Sequence, residues 1–217
     1  MTELLPNWLS YLRGDLWPGL LTTIQLTAAC TLLTVTWALI PALMRMSQSR
    51  LANTVAKVYI ELFRSTPSLV QLFAVFFGLS ILGVLIDPWP AALIVLVLNA
   101  GGTLAESYRS GFQAVPVGQR ESATSLGMGR VTTFRRVVFP LALRIILPAI
   151  GNMTINILLI TPIAALIGMQ DLMYHALNIQ GRTHDWSVYL LIAIMYVILG
   201  MTLAWANGYL ERRLRLP

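Results

Sequence analysis

Few side chains in this sequence have the types and spacing that catalysis or metal binding requires. His175 and His184 are nine residues apart, and Asp171 and Asp185 are near them in the sequence. A zinc site needs three or four convergent ligands, and an activated nucleophile needs a base held by a third group. Neither set can be assembled from these residues, so the sequence predicts no catalytic residue and no metal site.

A second group of polar side chains lies inside long apolar stretches, where polar groups are costly and often functional. Asn152 and Asn156 are four residues apart, so they share one face of a helix. They could hydrogen-bond the polar ends of a transported solute, or they could hold neighbouring helices together. The candidates for a substrate path are Arg64, Gln71, Asn99, Asn152, Asn156 and Thr161.

Two of these candidates have distinct surroundings in the sequence. Thr161 follows Pro148 and precedes Pro162, and such prolines kink a helix and free backbone carbonyls. Broken helices of this kind often flank the sites of transporters. Arg64 could instead pair with Glu61 or extend its cationic end to the membrane surface.

The overall composition places these residues in a membrane protein. The chain has 217 residues, of which 57% are hydrophobic and 11% are charged, whereas soluble domains average about 45–50% and about 25%. This deficit of charge excludes an ordinary soluble enzyme and a disordered chain. The net charge of +6 could suggest a nucleic-acid partner, but too little polar sequence is present to form a basic polar surface.

Five stretches without a charged side chain are long enough to cross a bilayer, which takes about 17–25 helical residues. Their polarity does not alternate, so they favour helices over the strands of a membrane barrel. The sequence therefore predicts an all-α integral membrane fold with a single transmembrane domain over residues 1–217. The third helix is expected to continue through Glu106 and Arg109, which can pair. The predicted spans are 18–44, 59–82, 89–112, 137–166 and 186–210.

The basic residues predict the orientation of these five spans. If the N-terminus is outside, thirteen Lys and Arg residues lie on the cytoplasmic side and only Arg13 and Arg182 lie outside. This distribution agrees with the positive-inside rule, and an odd number of spans places the C-terminal Arg212, Arg213 and Arg215 in the cytoplasm. The excess positive charge then follows from topology, so no nucleic-acid partner is predicted.

The connector at residues 115–132 joins the third and fourth spans on the predicted cytoplasmic side. Pro116 and Gly118 end the incoming helix. The segment Glu121–Leu126 can form a short helix, which Gly127 would terminate. Such a helix across the membrane surface could dock a cytoplasmic partner.

This connector resembles the EAA loop of bacterial ABC importer permeases. The match consists of Glu121-Ser122-Ala123, then Gly127, then an apolar segment that ends at Pro140. Other segments resemble the polar amino-acid branch of the same family, and together they extend from about Gly19 to Arg213. These segments are Arg64–Leu72, Leu104–Pro116, Phe134–Arg144 and Glu211–Arg213.

The resemblance implies a type I ABC importer permease subunit in the bacterial inner membrane. It implies a second permease subunit, a cytoplasmic ATPase dimer and an extracytoplasmic amino-acid-binding protein as partners. ATP and Mg²⁺ would bind to the ATPase, and this chain would be no enzyme and hold no cofactor, in agreement with its lack of a Gly-x-x-x-x-Gly-Lys-Ser/Thr loop. The residues implied to contact the ATPase are Glu121, Ser122, Ala123, Leu126, Gly127 and Met128.

One departure from the family pattern bears on the second permease. Family members often have a Lys-Asp/Asn-Thr/Ser patch in the fourth helix, and Leu159–Pro162 retains only Thr161 of it. This difference favours a paralogue over an identical copy as the partner.

Two other classes of protein remain as alternatives. A stand-alone channel or secondary carrier for small polar solutes would be expected to have internal repeats or intramembrane charges. An intramembrane enzyme would need paired acids, histidine ligands or a nucleophile at membrane depth. The sequence shows neither pattern.

Overall fold

The structure is a computed structural model that describes residues 4–214, with side chains described from Trp8 to Arg213. The predicted cytoplasmic residue Arg215 lies outside the described residues. Over this range the chain is helical without β-strands, which confirms the all-α prediction. The helices are α1 Leu4–Tyr11, α2 Trp17–Trp37, α3 Leu39–Arg45, α4 Arg50–Ser65, α5 Ser68–Ile81, α6 Pro88–Gln113, α7 Val117–Ser125, α8 Arg130–Thr133, α9 Phe139–Ile160, α10 Leu172–Thr183 and α11 Ser187–Leu214.

Four continuous helical segments within residues 4–214 are long and apolar enough to cross a membrane. They are Trp8–Arg45, Pro88–Gln113, Arg130–Ile167 and Ser187–Arg213. A fifth span results if the bent pair α4 and α5 is counted as one.

The second predicted span, 59–82, is not one straight helix. It is divided between α4 and α5, which meet at an angle of 104°. Thr66 has extended backbone angles (φ −112°, ψ 139°) because a residue before proline avoids the helical region. The chain then continues from Pro67 in a new helix direction. The charge-free stretch therefore identified an apolar segment, but it did not predict that the segment bends.

The first and fourth spans extend beyond their predicted limits. Helix continues from α1 into α2 through a π-helical turn at Leu12–Leu16. Asp15 pairs there with Arg182 at 2.8 Å, so the charges lie at the end of the span without interrupting it. The fourth span contains a π-helical turn at Phe134–Val138 and ends in a 3₁₀ helix at Thr161–Ile167.

The centre of the bundle is α6, which packs against α2, α3, α4, α5 and α9. Asp87 is the N-cap of α6, and Pro88 is its first residue, where the missing N–H has no intrahelical partner to lose. Small residues allow close helix contact, as at Gly111, where an added Cβ would lie 2.3 Å from a side-chain atom of Ile146 on α9. A second apolar cluster joins α10 to the first part of α11 at the opposite end of the bundle from α7.

Candidate functional site

The short helix predicted in the connector is present as α7, which begins four residues earlier than the predicted Glu121. Its C-terminal end is a Schellman motif: the Met128 N–H donates to the Ala123 carbonyl (3.1 Å) and the Gly127 N–H to the Thr124 carbonyl (2.9 Å). Gly127 has a φ of +76°, a conformation that glycine adopts without the strain caused by a Cβ. The local terminator predicted from the sequence is therefore the one that ends the helix.

The two faces of α7 differ in exposure. Glu121, Ser122 and Leu126 point to the surface, and Leu126 is 77% exposed. Ala123 is buried, whereas Met128 is half-buried beyond the helix end. Four of the six predicted contact residues, including Gly127, thus form an exposed surface that a partner protein can reach, while Ala123 anchors the helix.

A cavity of about 310 Å³ lies behind α7. Arg120 reaches across from α7 and donates a hydrogen bond to the carbonyl oxygen of Phe112, in the last turn of α6. Arg120 also lines the cavity together with Met46 from the end of α3. The cavity therefore separates the exposed helix from the ends of the spanning helices, and Arg120 connects the two sides.

A groove of about 500 Å³ with polar side chains on both walls, among apolar ones, lies between α6 and α9. Asn152 and Asn156 line its α9 side, and both are exposed in the single chain. Thr103 and Ser107 line its α6 side and were absent from the predicted candidates. Their spacing of four residues matches that of the asparagines and was the available signal, since it places them on one helix face.

Gln71 and Asn99 lie at the α4–α5 break and not in this groove. Gln71 Nε2 donates to the carbonyl oxygens of Phe63 (3.1 Å) and Thr66 (3.0 Å). Asn99 Nδ2 donates to the same Phe63 carbonyl (2.9 Å) and to Gln71 Oε1 (3.1 Å). These amides satisfy the carbonyls that the turn before Pro67 leaves without helical partners.

Thr161 and Arg64 are also outside the lining of the groove. Thr161 is fully buried, and its hydroxyl donates to the Leu158 carbonyl at 2.8 Å. That carbonyl is four residues before Pro162, which has no N–H to give it, so the hydroxyl has a structural role. Arg64 is exposed at the end of α4, and Glu61, its predicted partner, pairs with Lys57 at 3.7 Å instead.

The predicted ion pair near the end of α6 is confirmed. Arg109 Nε donates to Glu106 Oε1 at 2.9 Å, and Arg109 Nη1 donates to Gln113 Oε1 at 2.7 Å. Glu106 directly precedes Ser107 and Arg109 follows two residues after it, so the charges on this stretch of α6 are neutralised within the helix.

The connector between the fourth and fifth spans contains a buried acid. Asp171 is fully buried, and its Oδ1 accepts a hydrogen bond from the Tyr174 N–H (2.9 Å) at the start of α10. Burial raises the pKa of Asp171 to about 7. Burial also lowers the pKa of His175. Among the described residues no group of three His, Cys, Asp or Glu side chains could hold a metal ion.

Apolar spanning helices, a short exposed helix at one end of the bundle and a polar groove between two spans define a multi-pass membrane transport subunit. Residues 11–216 match the family described as binding-protein-dependent transport system inner membrane component. The chain belongs to this family, and it is therefore an inner-membrane permease with the type I ABC importer fold.

Relatives and a solved structure agree with this assignment. The chain is 35% identical over 208 residues to the L-cystine transport system permease protein TcyB of Bacillus subtilis (strain 168), covering 93% of this chain and 89% of that protein. It is 34% identical over 214 residues to the histidine/lysine/arginine/ornithine transport system permease protein HisQ of Escherichia coli (strain K12), covering 92% and 93%. A crystal structure of an amino acid ABC transporter with histidines matches with a TM-score of 0.88 and 37% identity, covering 95% of this chain and 98% of that one.

Proposed function

We propose that this chain is the permease subunit of an ATP-driven amino-acid importer and that it forms the translocation path with a second permease subunit. The relatives named above transport amino acids, and the chain covers about nine-tenths of the length of TcyB and HisQ. The observation that carries the proposal is α7, a short helix with an exposed face held by a Schellman motif at Gly127.

The exposed face of α7 docks one cytoplasmic ATPase of a dimer, through Glu121, Ser122, Leu126 and Gly127. ATP and Mg²⁺ bind to that ATPase and not to this chain. The N-terminus faces outward, so that α7 is cytoplasmic, and an extracytoplasmic binding protein delivers the amino acid to the opposite side.

The groove between α6 and α9 is this subunit's part of the path. Its polar lining consists of two amides and two hydroxyls, which can hydrogen-bond the ammonium and carboxylate groups of an amino acid but cannot neutralise them. The neutralising charges then come from the second permease. A paralogue that retains the charged patch fits this requirement better than an identical copy, which would bring the same uncharged lining.

The experiment replaces Gly127 with Ala in the complete complex and measures how much ATPase co-purifies with the permease. At a φ of +76° a Cβ costs about 1–2 kcal/mol, so the terminator loosens and ATPase recovery falls. Gly129→Ala is the matched control, because Gly129 has a φ of −68° and an added Cβ would meet no atom within 4 Å.

Docking through α7 is supported if wild type and Gly129→Ala recover similar amounts of ATPase and Gly127→Ala recovers less. Equal recovery with all three contradicts it. Transport by the purified chain in liposomes without any ATPase would support the stand-alone carrier instead. Native mass spectrometry of the same complex tests the second permease, and two identical 24.0 kDa subunits would contradict the paralogue.

A further inference from the structure

Arg120 makes a direct connection between α7 and the end of α6. Its guanidinium donates to the carbonyl oxygen of Phe112, one of the last carbonyls of α6 that have no partner within the helix. The last turn of α6 contains no basic residue of its own. Arg120 therefore also supplies the positive charge that favours the negative end of a helix.

The side chain of Arg120 is held in the protein and is not a freely solvated surface cation. It is half-buried, and its Nε is buried without a hydrogen-bond partner among the described residues. Its stem lies against the cavity that Met128, Phe134 and Val138 also line. Its hydrogen bond to Phe112 and its partial burial hold the planar guanidinium between the two helices.

Phe112, which accepts this hydrogen bond, belongs to an aromatic cluster that joins α6 to the start of the fourth span. Its ring centroid is 5.5 Å from that of Phe134 and 6.4 Å from that of Phe139. It also stacks on Tyr108 one turn earlier in α6, at 6.2 Å. A displacement of the last turn of α6 is therefore transmitted to α9 as well, because packed aromatic rings cannot be compressed.

Helices α6 and α9 form the two walls of the polar groove. Helix α7 itself packs against the π-helical turn Phe134–Val138 and α8, so it reaches α9 through backbone packing. Helix α7 also follows α6 after a link of three residues, 114–116, and the hydrogen bond from Arg120 ties α7 back to the last turn of α6. Without that bond, movement of α7 would reach α6 chiefly through the short link, which can turn at its non-helical residues, while the packing toward α9 would remain.

We infer that Arg120 is a positioning residue that couples α7 to α6, so that docking movements of α7 shift both walls of the groove together. This inference rests on the proposed function, because it requires an ATPase that moves α7. It assigns a role to a residue outside the exposed docking face.

The test uses the complete complex in proteoliposomes, with ATPase and binding protein, and measures amino-acid uptake and ATP hydrolysis in the same vesicles. Arg120→Gln removes the cation and the rigid guanidinium, whereas Arg120→Lys keeps the charge. Arg135→Gln is the control, since Arg135 is an exposed cation in the neighbouring π-helical turn. Uptake per ATP hydrolysed corrects for any difference in the amount of assembled complex.

We expect Arg120→Gln to hydrolyse ATP but to lose about fivefold or more in uptake per ATP, the lower end of typical coupling between sites. Arg120→Lys should fall between Arg120→Gln and wild type, and Arg135→Gln should match wild type. Unchanged uptake per ATP in Arg120→Gln overturns the inference, as does an equal loss in Arg135→Gln or a loss in Arg120→Lys as large as in Arg120→Gln. Failure of the wild-type chain to assemble with any ATPase would instead refute the proposed function.

Discussion

Replacement of the buried Asp171 by Asn should remove a specific pH dependence from the stability of this protein. The carboxyl group is fully buried, and its Oδ2 has no hydrogen-bond partner among the described residues. Asn keeps the Oδ1 acceptor that caps α10 through the Tyr174 N–H, and Asn and Asp are similarly good caps. The substitution therefore removes the ionisable group and leaves the local structure in place.

The size of the effect follows from the pKa of Asp171. Burial raises it from 3.8 to about 7, so the folded protein keeps a proton over a pH range in which the unfolded chain has released it. Stability from this group is then greatest below about pH 4, decreases as the pH rises, and is fully lost above about pH 7. A difference of about three between the pKa values of the folded and unfolded states corresponds to about 4 kcal/mol in the free energy of unfolding.

The measurement is thermal unfolding of the purified complex in detergent, followed by tryptophan fluorescence between pH 4.5 and 8. The melting temperature of Asp171→Asn should rise above that of wild type as the pH increases, by about 10 °C at pH 8. Asp185→Asn serves as a control of opposite sign, because hydrogen bonds from Ser187 lower the pKa of Asp185. The Asp185→Asn variant should be less stable than wild type at neutral pH, and this difference should disappear in acid. Parallel pH profiles of Asp171→Asn and wild type would refute the reasoning.

Two further predictions concern helix packing and the groove. Gly19→Ala should destabilise the protein by about 1–3 kcal/mol, since its Cβ would lie 2.7 Å from a backbone carbonyl oxygen. Gly200→Ala, whose Cβ would have no atom within 4 Å, should be neutral or stabilising in the same unfolding assay. Equal effects of the two substitutions would contradict close helix packing at Gly19. Asn152→Ala and Asn156→Ala should each lower amino-acid uptake about tenfold, the effect of losing one hydrogen bond to a charged group. Thr202→Val on α11, whose hydroxyl bonds within its own helix, should leave uptake unchanged; an equal loss there would exclude a specific role for the groove.

The apolar stretches were predictable from sequence because charged side chains are costly in hydrocarbon, whereas the course of the second span was not. The gaps between charged residues predict that a span begins near Arg64. In the structure Arg64 lies in the last turn of α4. The position of α4 is set by distant residues: the Tyr59 hydroxyl donates to the Leu98 carbonyl and accepts from Trp37 Nε1, both at 2.8 Å. Such contacts leave no local pattern in the sequence.

The C-terminal end of helix α7 was predictable for the opposite reason, since it depends on local backbone chemistry. Pro116 and Gly127 act on their own turns, and both act in the structure as the sequence predicted. The lining of the groove depends instead on how far α6 and α9 are rotated about their axes. That rotation turns Ser107 into the groove. The spacing of Thr103 and Ser107 places them on one helix face, but it does not specify the direction in which that face points.

Hydrogen bonding divides the polar candidates into two groups with different consequences. The amide donors of Gln71 and Asn99 and the hydroxyl of Thr161 are used on backbone carbonyls, so a solute could engage these donors only by breaking structural bonds. Within the described chain the side chains of Asn152 and Asn156 have no hydrogen-bond partner, and both are exposed in the groove. An unpaired amide against lipid costs several kcal/mol. The open side of the groove must therefore face water, cargo or polar groups of a second subunit, and this requirement favours a permease that works as one half of a pair.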